Sequence, residues 1–126
     1  MKTIQILLVE DNPSQMQLMD CYLSESGHTV IRNPYPKEAV KKAMEHNPDV
    51  IVTDVVMPGM SGFELCRSLK NNPATKSIPI VICSSKDQEI DRLWGMRQGA
   101  SAYLIKPFTR EQLIRTVQLV SCGLKT

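Results

Sequence analysis

The chain has 126 residues, 42% hydrophobic and 22% charged, with a formal net charge of +2 at pH 7. That is one domain's worth of ordinary globular composition, long enough to bury about two-thirds of its surface. So small a charge, with Lys41-Lys42 as the only basic pair, does not by itself argue for nucleic acid or an anionic membrane as partner; direct nucleic-acid binding is not expected, nor is membrane insertion, since no apolar run reaches the roughly 18 residues that cross a bilayer.

The first apolar run, 4–9, reads as a strand and leads directly into Glu10-Asp11. Asn12-Pro13-Ser14-Gln15 opens a helix, with Asn12 as cap and Pro13 at the first position, where its missing N–H costs nothing; Gly27 stops it. A short second strand over 29–31, flanked by His28 and Arg32, suits a sheet edge. A helix beginning near Pro36 has Ala39, Val40, Ala43 and Met44 as its expected buried stripe and ends at Asn47-Pro48. The third strand, 50–53, is closed by Asp54.

Ser61-Gly62-Phe63-Glu64 has the spacing of a capping box and opens the next helix, which stops at Asn71-Asn72-Pro73. The fourth strand, 78–83, is followed by Ser84. Ser85-Lys86-Asp87-Gln88 resembles a helix start, and that helix runs to Gly99, with Trp94 expected as core or partly covered packing and an exposed anchor for a partner as the alternative. The fifth strand, 102–105, leads to Lys106-Pro107. Thr109-Arg110-Glu111-Gln112 opens the last helix, with Leu113, Ile114, Val117 and Val120 on its buried side.

Strand and helix thus alternate five times, without repeat or linker. The first, third and fourth runs are almost wholly apolar, as in strands covered on both faces. This predicts an α/β fold, a doubly wound five-stranded parallel sheet with five helices, spanning 1–126 as a single domain. Met1-Lys2-Thr3 and the short run after it make no signal peptide. Cys21, Cys66, Cys83 and Cys122 form no C-x-x-C pair, and neither His28 nor His46 has zinc spacing to them. The expectation is four reduced, buried thiols in a cytoplasmic protein.

In a doubly wound sheet, ligands bind beyond the carboxyl ends of the strands. That edge would gather Glu10, Asp11, Asp54, Ser84 and Lys106. Three acids together repel one another unless a cation sits among them, and hard oxygen ligands without Cys or His point to Mg²⁺ or Mn²⁺. Lys106 offers a point charge and Ser84 a hydroxyl to phosphoryl oxygens. Asp54, closing a central strand, is the best nucleophile toward phosphorus, giving an acyl phosphate.

Five motifs then match a known family: L-L-V-E-D at 7–11, D-V-V-M-P-G-M-S-G-F-E at 54–64, S-S at 84–85, G-A-S-A-Y at 99–103 and K-P-F at 106–108. The chain resembles a CheY-like receiver domain of two-component response regulators, of the stand-alone type. The resemblance implies strand order 2-1-3-4-5, Asp54 as phosphoacceptor, and Glu10 and Asp11 as the Mg²⁺-holding acids, joined by the backbone carbonyl of Val56. It implies Lys106 as the phosphoryl-contacting lysine, Ser84 and Tyr103 as the switch pair, and a cis bond before Pro107. It further implies a histidine kinase as phosphodonor, with a CheA-like kinase as the candidate, and output through the fourth helix, fifth strand and fifth helix. The string D-R-L-W-G-M-R-Q-G-A at 91–100 is similar to motility regulators of the PilG and PilH kind.

No output domain is expected. Whether the phosphorylated protein engages an effector or acts as a phosphate sink or relay intermediate stays open, as does a monomer against a phosphorylation-dependent dimer. An aspartate-nucleophile phosphatase would need a second acid two residues after Asp54, where Val56 stands, so no turnover of external substrates is expected. A flavin-binding reading fails at Glu10-Asp11-Asn12-Pro13, acidic where a phosphate needs donors.

Overall fold

The computed structural model describes residues 3–123; residues 1–2 and 124–126, the ends of the expected 1–126 domain, lie outside the described residues. Its strands are β1 (Gln5–Val9), β2 (Thr29–Asn33), β3 (Val50–Asp54), β4 (Ile80–Ser84) and β5 (Ala102–Ile105). They form one parallel sheet in the order β2-β1-β3-β4-β5, as expected. The order reverses at β1, whose flanks register Val9 against both Asn33 of β2 and Thr53 of β3.

Side chains alternate across the sheet and so build two cores. On one face Ile6, Leu8, Val50, Val52, Val81 and Cys83 meet α1 (Pro13–Glu25) and α5 (Arg110–Ser121). On the other, Leu7, Val9, Ile51, Ile80 and Ile82 meet α2 (Ala39–His46) and α3 (Gly62–Lys70). The remaining helix, α4 (Glu89–Arg97), lies beside β5.

Several expectations need correction. β4 begins at Ile80 rather than at 78, because Pro79 has no N–H to give the ladder; its carbonyl accepts from Ile51 instead. The Pro36 start is a short 3₁₀ turn, Pro36–Glu38, before α2 proper. With only two turns, α2 buries just Ala39 and Ala43, and Met44 is exposed. Gln88, not Ser85, caps α4 and shares a capping box with Asp91. The other caps fall where expected, Asn12 receiving the Gln15 N–H, Ser61 that of Glu64 and Thr109 that of Gln112.

Trp94 is 46% exposed, so it is not core filling, and the exposed alternative describes it better. The reason is rotational: α4 buries only Gly95, so its neighbour in sequence is turned about 100° away from the sheet. Of the four thiols, Cys66 and Cys83 are buried, but Cys21 and Cys122 are exposed. No described helix is long and apolar enough to cross a membrane.

Candidate functional site

Parallel pairing brings the expected residues to one edge. Glu10 and Asp11 follow β1, Asp54 ends β3, Ser84 ends β4 and Lys106 follows β5. Carboxylate oxygens of Glu10, Asp11 and Asp54 lie within 4.8 Å of one another. Lys106 Nζ stands 3.2 Å from Asp54 Oδ2 and 3.3 Å from Glu10 Oε1. Glu10 is only 2% exposed, and its Oε2 accepts the Asn12 N–H at 3.2 Å. Asp54 Oδ1 accepts the Val55 N–H at 2.7 Å, which fixes the carboxylate's rotation.

Burial pushes the Glu10 carboxyl above its ordinary value, and the nearby Asp54 charge adds to this; the Asn12 N–H and Lys106 only partly offset it. For Lys106, burial works against the charge, but the Glu10 and Asp54 carboxylates outweigh it and hold the ammonium more firmly protonated than usual. One ion pair therefore raises its base without lowering its acid, because the acid is the more deeply enclosed partner. Behind them Cys83 is fully enclosed, and burial pushes its thiol up to about 12, so it stays neutral and inert.

Ser84 Oγ accepts the Lys86 N–H at 3.0 Å, and the Tyr103 hydroxyl donates to the Lys86 carbonyl at 2.8 Å. The two residues expected as a pair are thus tied to the same peptide segment. Burial raises the Tyr103 phenol, with the Ser84 hydroxyl acting against it. The Lys106-Pro107 bond is cis, as the resemblance implied. The side chain of Val56 is exposed, two residues beyond Asp54.

One residue of the site was passed over in the sequence. A Cβ on Gly62 would sit 2.1 Å from the Asp54 carbonyl oxygen, and the Gly62 N–H bonds to Val55 O at 2.8 Å. Only a glycine lets the start of α3 come down onto the end of β3. The available signal was a glycine at the first position of a helix, where it is otherwise a poor choice.

The donor set, three carboxylates with no thiolate or imidazole among them, fits a hard divalent cation. The profile of the response regulator receiver domain matches residues 6–118. The chain belongs to that family, and its class is a phosphorylation-controlled signalling domain of two-component systems. Among relatives, Protein PilH of Pseudomonas aeruginosa strain PAO1 is 40% identical over 119 residues, covering 94% of this chain and 98% of that protein. Among structures, the chemotaxis response regulator CheY4 of Vibrio cholerae superposes with a TM-score of 0.86 at 32% identity, over 93% of this chain and 98% of its own. The receiver domain of the sensor histidine kinase PA1611 of P. aeruginosa PAO1, with a magnesium ion coordinated in its active-site cleft, gives 0.84 at 29% identity, over 93% and 96%.

Proposed function

We propose that the protein is a phosphoswitch in which Asp54 accepts a phosphoryl group from the phosphohistidine of a histidine kinase. A carboxylate oxygen of Asp54 attacks phosphorus, the P–N bond breaks, and the departing imidazole nitrogen keeps the electron pair. Glu10, Asp11, Asp54 and the backbone carbonyl of Val56 would hold Mg²⁺, or Mn²⁺ in its place. The cation supplies neutralisation of charge on the transferring group. Lys106 then trades its contact with Asp54 for a phosphoryl oxygen, and Ser84 turns its hydroxyl from the Lys86 N–H toward another.

The observation that carries this reading is Lys106 Nζ lying within 3.3 Å of both Glu10 and Asp54 beside the acidic cluster. A structural ion pair needs one acid; the arrangement of three acids and one cation suits a charged group still to arrive. Output is proposed to pass through α4, β5 and α5 to a protein effector, with the exposed Ile90, Leu93, Trp94 and Ile105 as the apolar part of that face. The likeness to PilH supports a place in cytoplasmic motility or taxis signalling, under a CheA-like kinase.

The test is intact mass after incubation with a small-molecule phosphodonor and Mg²⁺. One phosphoryl group is expected on the wild type and none on Asp54→Asn. Equal labelling of both proteins would remove Asp54 from the acceptor role.

A further inference from the structure

α4 contains a glycine in its interior, where alanine would make a more stable helix. Gly95 has ordinary helical backbone and needs no unusual φ. The reason for it lies across the interface. A Cβ at residue 95 would stand 3.0 Å from Tyr103 Cδ2, 3.3 Å from Phe63 Cε1 and 3.4 Å from Ile82 Cδ1. These are tight distances for packed carbons, the one to Tyr103 most of all, so a methyl group at 95 makes the ring give way by a few tenths of an ångström. Tyr103 in turn donates its hydroxyl at 2.8 Å to the carbonyl of Lys86, the same residue whose N–H donates to Ser84 Oγ at 3.0 Å.

We propose that Gly95 is a positioning residue of the switch: its missing Cβ forms the seat in which the Tyr103 ring lies inward with its hydroxyl on Lys86. This rests on the phosphoswitch reading and names the residue that sets how readily the ring seats. A methyl group at 95 displaces the ring toward solvent, releases the Lys86 carbonyl and uncouples the loop after β4 from α4. Trp94, exposed and next in the chain, lies where that coupling reaches the proposed partner surface. Enlarging residue 95 therefore separates acceptance of the phosphoryl group from its transmission.

The experiment is a thermal cycle over wild type, Gly95→Ala, Tyr103→Ala and the double variant, with phosphorylation measured in parallel. With the tyrosine removed, Gly95→Ala should raise the midpoint by about 3 °C through helix propensity alone. With the tyrosine present, the same change should leave the midpoint level or lower it, or prevent folding that the double variant restores. Equal gains in both backgrounds overturn the seat. Tyr103→Phe should lower the midpoint of the wild type but not of Gly95→Ala, whose hydroxyl no longer reaches Lys86; equal effects overturn the positioning.

Phosphorylation should shift Trp94 emission in the wild type and at least threefold less in Gly95→Ala, with mass labelling unchanged. An emission response that is absent from the wild type, or undiminished in the variant, overturns the link to the switch. Failure of every protein to take up a phosphoryl group would instead defeat the phosphoswitch reading, and the four midpoints would still decide whether the seat exists.

Discussion

At the scale of single residues, the site is a contest between enclosure and charge. Lys106 lies against two acids, and at such separations a unit charge is worth about 1 kcal/mol even in water-like surroundings. It therefore competes with any cation for the same carboxylates. Lys106→Met should bind Mg²⁺ about fivefold more tightly than the wild type while losing response to a phosphodonor. Titration calorimetry alongside intact mass checks both halves; unchanged or weaker Mg²⁺ binding would show that the lysine does not oppose the metal. The raised Glu10 pKa adds a pH dependence. The folded chain holds that proton more tightly than the unfolded chain, so stability falls as pH climbs from about 4.5 through the raised value. Mg²⁺ binding runs the opposite way, strengthening as Glu10 ionises.

At the scale of elements, the junction of β3 with α3 is the tightest point near the site. Gly62→Ala would place a methyl carbon 2.1 Å from the Asp54 carbonyl oxygen, so the helix start or the strand end must move. The expected cost is about 3 kcal/mol in urea unfolding, in the upper range for overpacking, together with weaker Mg²⁺ binding as Asp54 is displaced. A substitution that lowers stability but leaves Mg²⁺ binding intact would show that the strand end does not feel the helix. The helix starts show how far local rules reach. Asn12, Ser61 and Thr109 were legible because a cap and its partner lie three residues apart and need nothing else. The start of α4 was not, because Ser85 and Gln88 both satisfy that spacing. The choice is made by tertiary contacts, with Ser84 and Tyr103 both holding Lys86 in the loop ahead of the helix. Trp94 failed for a similar reason. Ile90, Leu93 and Trp94 stand at i, i+3 and i+4, the spacing of a buried stripe, yet all three are exposed, and the packing of Gly95 turns the other side of the helix inward.

At the scale of the whole molecule, the sheet was readable because parallel strands covered on both faces must be continuous apolar runs, and the acids, hydroxyl and lysine at their ends share an edge once the strands align. What sequence could not supply was depth. His28, taken as a flank of the edge strand, is only 4% exposed, its Nδ1 accepting the Ile4 N–H at 3.2 Å and its Nε2 buried without a protein partner. This ring sits at the opposite end of the sheet from the acids, where β1 and β2 begin. Burial lowers its pKa from 6.5, so the folded chain releases the proton that the unfolded chain takes up. The sign follows: stability is full above about 6.5 and is lost as pH falls through 6.5 toward the lowered value. His28→Asn keeps an acceptor within reach of the Ile4 N–H and removes the titration. Thermal midpoints measured from pH 8 to pH 5 should fall by a few degrees more for the wild type than for the variant. Parallel curves would show that the ring is protonated in the fold as readily as in the unfolded chain. A divergence confined to the region below 6.5 would place this acid sensitivity at the amino end of the sheet, distinct from the pH response of the carboxylate cluster at the other.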